Sequence, residues 1–364
     1  MSQTPPNEAP ETPFIRQTDF ERITTMVSAD FQIEEALIEH NVPTFYLNQP
    51  QETKQAFLKL LKNLETMNLA AVLRKKDERV VLKVVPKPPV KPSNILVNWL
   101  LFFVTIGTTF VTGYILSLEL IDPLIGGAAF TIAIMAILGT HEMGHKLTAD
   151  RKGIEATPPY FIPGPPPIGG LLGGIGTFGA VIMQKSLPPN KDALFDVGAN
   201  GPVVGFIIAT IVTAVGLTLS IPMPPPEEYA ILPVPLLWIL LGRFLQGLGM
   251  LPLPPPDQLL FMHPVAFAGW VGMIVTMLNL LPAAMLDGGH VARCLAGEKT
   301  RTILAMLSVL LLILRDFWPM AILVLFLSMY KHPGPLDDVS DLSNGRKLWT
   351  VLLVAVFVLS FPFF

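Results

Sequence analysis

Residues Thr131–Lys152 read TIAIMAILGTHEMGHKLTADRK, and the apolar run Leu124–Gly139 passes without a break into His141-Glu142-Met143-Gly144-His145. Positions i and i+4 of a helix share a face, so His141 and His145 can aim ring nitrogens at one cation. Glu142 is turned about a quarter circle away, where a carboxylate can hold a water and take its proton. HExxH strings also arise by chance. The setting adds weight here, because two imidazoles and a carboxylate at the end of a bilayer-length apolar segment need partners, and a metal ion supplies them. A catalytic zinc takes three protein ligands and leaves the fourth position open, so one Zn2+ per chain requires a third ligand elsewhere.

Working outward, 51% of the residues are apolar and only 15% charged, the balance of an α-helical polytopic membrane protein in a lipid bilayer rather than a soluble globule. A net charge of −3 gives no footprint for nucleic acid. The single Cys294 leaves no internal disulfide and no cysteine cluster, and reads as a packed thiol. Residues 1–15 lack the basic start and apolar core of a signal peptide and read as a disordered tail. Residues 16–90 read as a small soluble α/β domain. Within it Phe57, Leu60, Leu61, Leu64 and Met67 recur at helical spacing, and Ala70–Leu73 and Val80–Val85 flank a charged turn at Lys75–Glu78. No metal or nucleotide motif occurs there, and His40 reads as a surface or packing residue. Pro86–Ser93 is a stiff basic linker into residues 91–364, the membrane-embedded domain.

In that domain apolar segments predict six to seven membrane helices, near 95–118, 124–147, 198–221, 264–284, 299–315, 317–331 and 347–363, the fifth and sixth short enough to be tilted or joined as a hairpin. Residues 231–250 contain Arg243 between proline clusters and are expected to span, re-enter or lie on the membrane. With the amino-terminal domain on the cytoplasmic side, 23 of the 25 Lys and Arg fall on that side, as the positive-inside rule requires. The second helix then enters from outside, and His141 lies about 26 Å along it, just within the cytoplasmic face.

Ala266–His290 runs the same way, so its end reaches the depth of His141. Asn279 and Asp287 are its strongly polar side chains before His290. Pro282 is expected to break the helix after Leu281, and Gly288 and Gly289 permit close backbone approach. Asp287 precedes the paired glycines and lies deeper, which favours it as the third ligand. His290 is the rival ligand, and a cap at the membrane boundary is the plain alternative for Asp287. His263 and His332 sit beside prolines near boundaries and read as structural.

His141–His145 on one helix, with Asn279-Leu280-Leu281-Pro282 and Leu286-Asp287-Gly288-Gly289 on a later one, resemble the site-2 protease family of intramembrane zinc metalloproteases. The resemblance covers roughly residues 95–335 and extends to His332–Asp338; neither a PDZ insertion nor a CBS pair is visible. It implies that His141, His145 and Asp287 bind zinc and that Glu142 activates water. A soluble domain ahead of this core is similar to the plastid gravitropism-deficient, yellow-green group. The lack of a transit peptide leads to the expectation of a prokaryotic, archaeal-type chain in the cell membrane, with its amino terminus and active site toward the cytoplasm.

Residues 159–190 contain Gly174-Ile175-Gly176-Thr177-Phe178-Gly179, formally GxGxxG, but proline-rich flanks exclude the strand and helix that a dinucleotide site needs. The expectation is a re-entrant β-type loop with a strand over Gly176–Met183, whose edge pairs with an extended substrate; a loop that only seals the bundle is the alternative. The expected function is hydrolysis of a peptide bond in or near the span of a single-span membrane protein, with Glu142 as base and Asn279 as oxyanion donor. A soluble partner for the amino-terminal domain is possible on this reading. The rival function is a transporter or scaffold whose His/Asp cluster carries an ion or a structural metal, which has no need of Glu142.

Overall fold

A computed structural model describes residues 17–89, 92–168, 174–225, 232–283, 285–330 and 332–363. The tail expected over 1–15, the middle of the glycine-rich loop and residue 231 lie outside the described residues. The chain divides into two compact units. The first combines residues up to Val90 with Pro189–Lys191 and Gly334–Asp341, and the second holds the rest.

In the first unit the order is α1 (Gln17–Ser28), β1 (Ile33–Glu39), β2 (Val42–Leu47), α2 (Lys54–Glu65), β3 (Leu69–Lys76) and β4 (Arg79–Pro86). The strands form one antiparallel sheet in the order β1-β2-β4-β3. Both hairpins close through two residues with positive φ, His40-Asn41 and Asp77-Glu78, the backbone that matches the twist of paired strands. The helical spacing noted in the sequence buries Phe57, Leu60 and Leu64 of α2 against Phe45, Leu73 and Leu82 of the sheet. Each such side chain contributes about 1.5–3 kcal/mol on burial.

The outer edge of β3 is covered from far along the chain. The Leu73 N–H donates to the Leu336 carbonyl at 2.9 Å and the Asp338 N–H to the Leu73 carbonyl at 3.2 Å. Asp337 between them is fully buried. Its Oδ1 accepts the Val339 and Ser340 N–H groups at 2.9 Å each, its Oδ2 is bonded to the Ser340 hydroxyl, and its own N–H donates to the Pro189 carbonyl. An edge that could template aggregation is thereby paired at Leu73, near its middle.

The second unit begins with α3 (Ile95–Ser117) and α4 (Pro123–Arg151). Small residues let them touch: a Cβ on Gly113 would lie 2.9 Å from the Gly126 carbonyl. Buried hydroxyls of Thr105, Thr109, Thr112 and Ser117 donate to carbonyls four residues back, so these four hydroxyls are paired within the helix. Asp122 caps α4, accepting the Leu124 and Ile125 N–H groups, with Pro123 in the first turn. Next come β5 (Tyr160–Pro163) and β6 (Thr177–Val181), an antiparallel pair. The strand expected over Gly176–Met183 is therefore shorter than its sequence suggested, and its partner β5 was not expected. Gly176, at φ 79°, fits where any Cβ would meet Thr108 and Thr112 of α3, and its carbonyl accepts the Thr108 hydroxyl at 2.6 Å.

The remaining elements are α5 (Lys191–Leu219), β7 (Ile221–Met223), α6 (Leu236–Gly247), β8 (Leu259–Phe261), α7 (Pro264–Asn279), α8 (Asp287–Leu295), α9 (Glu298–Leu314), α10 (Trp318–Ser328) and α11 (Asn344–Ser360). Among the described residues α3, α4 and α5 are long and apolar enough to cross a membrane. The other apolar helices are shorter, and α9 packs on α10 through Ala305, Val309, Leu312, Ala321 and Val324. Several boundaries differ from expectation, two of them by the most. Helix α5 starts seven residues before the predicted 198, because Asp192 and Asp196 in its first turns pair with Arg346 (3.1 and 2.6 Å) and Asp196 with Lys152 (2.8 Å). Helix α7 ends at Asn279 rather than Leu281, since Pro282 disfavours helical backbone in the residue before it.

The capture of β3 makes a prediction. Asp337→Ala strands three hydrogen-bonding groups and is expected to cost the first unit about 1–3 kcal/mol. Hydrogen exchange of the full-length protein should then show faster exchange along β3, and unchanged protection there would contradict this account.

Candidate metal centre

Four helices of the second unit meet at one point. Helix α4 brings His141, Glu142 and His145, all buried, on the face it turns inward with Ile134, Ile137 and Leu138. Asp287 is the first residue of α8, after a non-helical turn that follows α7. The Nε2 atoms of His141 and His145 are 3.1 Å apart, and each lies 3.3 Å from Asp287 Oδ2. One ligand atom from each of the three lies within 4.8 Å of the others. This juxtaposition of the two histidines with Asp287, 142 residues after His145, is the one the sequence suggested. The rival ligand, His290, turns elsewhere: its Nδ1 is 2.7 Å from His332 Nε2.

The histidine tautomer follows from the surroundings. His145 Nδ1 is 2.7 Å from the carbonyl of Val197 on α5. A carbonyl only accepts, so the hydrogen sits on Nδ1 and the Nε2 lone pair points into the cluster. Two imidazoles and a carboxylate, brought together away from water, form the donor set of a hydrolytic zinc site. These three residues could hold such an ion.

Around this donor set stand further groups. Glu142 Oε1 is 3.9 Å from His141 Nε2, and the backbone of Ile182, just beyond β6, hydrogen-bonds its carboxylate. Asn279, the last residue of α7, has its Nδ2 3.5 Å from His141 Nε2. Among the described residues β6 pairs with β5 on one side only.

A row of glycines on α5 went unread in the sequence. A Cβ on Gly201 would collide with the His145 ring, and one on Gly205 would lie 2.9 Å from His141 Nδ1. One on Gly198 would press on His290 Cβ and the Asp287 carbonyl at 2.9 and 3.0 Å. Their spacing, Gly198-x-x-Gly201-x-x-x-Gly205, was the available signal, since it puts the three on one helix face. Val197 carried no signal at all, because it acts through its backbone.

The comparisons with known proteins agree with this geometry. Probable zinc metalloprotease EGY1, chloroplastic, of Arabidopsis thaliana is 28% identical over 67% of this chain and 44% of its own length. Probable zinc metalloprotease EGY2, chloroplastic, of Oryza sativa subsp. indica is 28% identical over 80% of this chain and 55% of its own. The EGY2 protein of Arabidopsis thaliana is 30% identical over 62% and 38% respectively. The chain thus spans about half the length of the curated relatives it matches. Their names place those relatives in chloroplasts, so they lend no support to a prokaryotic cell membrane. No solved structure matches. The model for peptidase family M50 matches residues 129–314, just over half of the chain and inclusive of every residue of the cluster. The chain belongs to peptidase family M50.

Proposed function

We propose that the protein is a zinc-dependent intramembrane endopeptidase, in which His141, His145 and Asp287 hold one Zn2+ and Glu142 is the general base. The observation that carries this reading is the convergence of the three ligand atoms within 4.8 Å, with a buried carboxylate beside them. A zinc ion held there lowers the pKa of a coordinated water from about 15.7 toward about 7 and polarises the scissile carbonyl. Glu142 takes the proton of the attacking water and passes it to the leaving amine. The Asn279 amide donates to the oxyanion, a role consistent with its Nδ2 lying 3.5 Å from His141 Nε2.

The substrate in this proposal is the span of a single-span membrane protein. A transmembrane helix has its carbonyls bonded internally and must unwind before attack. The unpaired edge of β6, one residue from the Ile182 backbone that meets Glu142, suits an extended segment added as a further strand. The β5–β6 hairpin is accordingly assigned to a re-entrant loop among six to seven spans, with the site toward the side of the membrane rich in Lys and Arg. Residues 16–90 form a domain of their own on this reading, available to gate substrate or to recruit a soluble partner.

The test is cleavage of a reporter whose single span carries a helix-breaking Asn-Pro pair, reconstituted with the enzyme in liposomes. Glu142→Gln is expected to keep zinc and lose activity by at least ~10²-fold, and Asn279→Ala to keep zinc with a loss of about 10²–10³-fold. A Glu142→Gln protein that still cleaves the reporter would overturn Glu142 as general base, and a zinc-loaded wild-type protein that cleaves nothing would favour the transporter.

Gly201→Ala should push the His145 ring out of place and weaken zinc about 10–100-fold by chelator competition. Gly107→Ala, where a Cβ meets nothing within 4 Å, is the control and should bind zinc normally. Equal affinity in the two variants would contradict the assigned packing.

A further inference from the structure

Asp287 opens α8, a helix of only nine residues that follows a non-helical turn. A helix this short cannot hold its own position in isolation, so its first turn must be fixed from outside. One side is fixed by close packing, since a Cβ on Gly288 would collide with the Leu280 and Leu281 carbonyls and Gly198 of α5 abuts the Asp287 carbonyl. The same turn carries His290, one turn beyond Asp287, whose Nδ1 is 2.7 Å from Nε2 of the buried His332. The rings stand nearly perpendicular at 84°, with centroids 5.0 Å apart. His332 lies beyond α10, 42 residues later, so the bond ties two distant parts of the second unit together.

We propose that His290 and His332 form a positioning strut that holds the first turn of α8, and with it Asp287, at the metal centre. This inference rests on the zinc reading above. At 2.7 Å one ring nitrogen donates and the other accepts, so the strut fixes one tautomer of each ring and the orientation of both. Groups that orient a metal ligand without touching the ion are worth about 10–100-fold in affinity. His290 is thereby a positioning residue rather than the rival ligand.

The experiment measures zinc affinity by chelator competition on the detergent-solubilised full-length chain, with folding followed separately by size-exclusion chromatography. His290→Leu and His332→Leu should each weaken zinc by about 10–100-fold while retaining a single site. The double variant should be no weaker than either single one, since the partners share one interaction. His290→Asn and His332→Gln place an amide where the bonded ring nitrogen stood and should restore affinity, which a purely steric role would not. Loss of the site in His290→Leu with wild-type affinity in His332→Leu would make His290 a ligand and overturn the strut. So would wild-type affinity in both. A wild-type chain that binds no zinc would instead remove the metal reading on which the strut depends.

Discussion

The constraint on which the rest of the second unit depends is electrostatic. Two imidazoles and two carboxylates cannot be withdrawn from water without partners, and here they are held between helices whose other inward positions are mostly apolar. The arrangement is tolerable because each group has an assigned contact. His145 is bonded to the Val197 carbonyl, both ligand nitrogens face Asp287, and Glu142 meets the Ile182 backbone. A cation shared by the three donors completes the account, and the helix packing is what makes that sharing geometrically possible.

Close packing is bought with small residues. Gly144 faces the Asn200 carbonyl, Gly198 faces α8, and Gly201 and Gly205 face the two rings, so α5 serves as a floor for the site rather than a source of ligands. At the basic end of the same helices, Arg346 binds Asp196 through two nitrogens at 2.6 Å each. Asp196 is the neighbour of Val197, so this ion pair lies next to the carbonyl that sets the His145 tautomer. A bidentate pair that is partly shielded from water gives directional hold as well as charge.

Much of this was legible in the sequence, and the reasons are local. The i, i+4 spacing on an apolar helix is a short-range signal, and it placed His141, Glu142 and His145. Depth along a second apolar segment, with a proline and paired glycines, singled out Asp287. Helical and alternating periodicity marked α2 and the β3–β4 hairpin. What was hidden depends on long-range pairing or on backbone atoms. Nothing in the sequence around His332 points to His290, and a carbonyl such as that of Val197 has no residue signature. The capture of β3 by residues beyond Pro333 and the partner strand β5 were invisible for the same reason. Helix ends were misjudged where an ion pair or a proline decided them.

The account stands on Asp287 as the third donor to a single zinc. Metal content by mass spectrometry on the purified full-length protein tests this most directly, with wild type beside Asp287→Ala. The predicted result is about one zinc per chain in the wild type and none retained by the folded variant. A folded Asp287→Ala protein with its zinc intact would show that the third ligand lies elsewhere and would contradict the site described here.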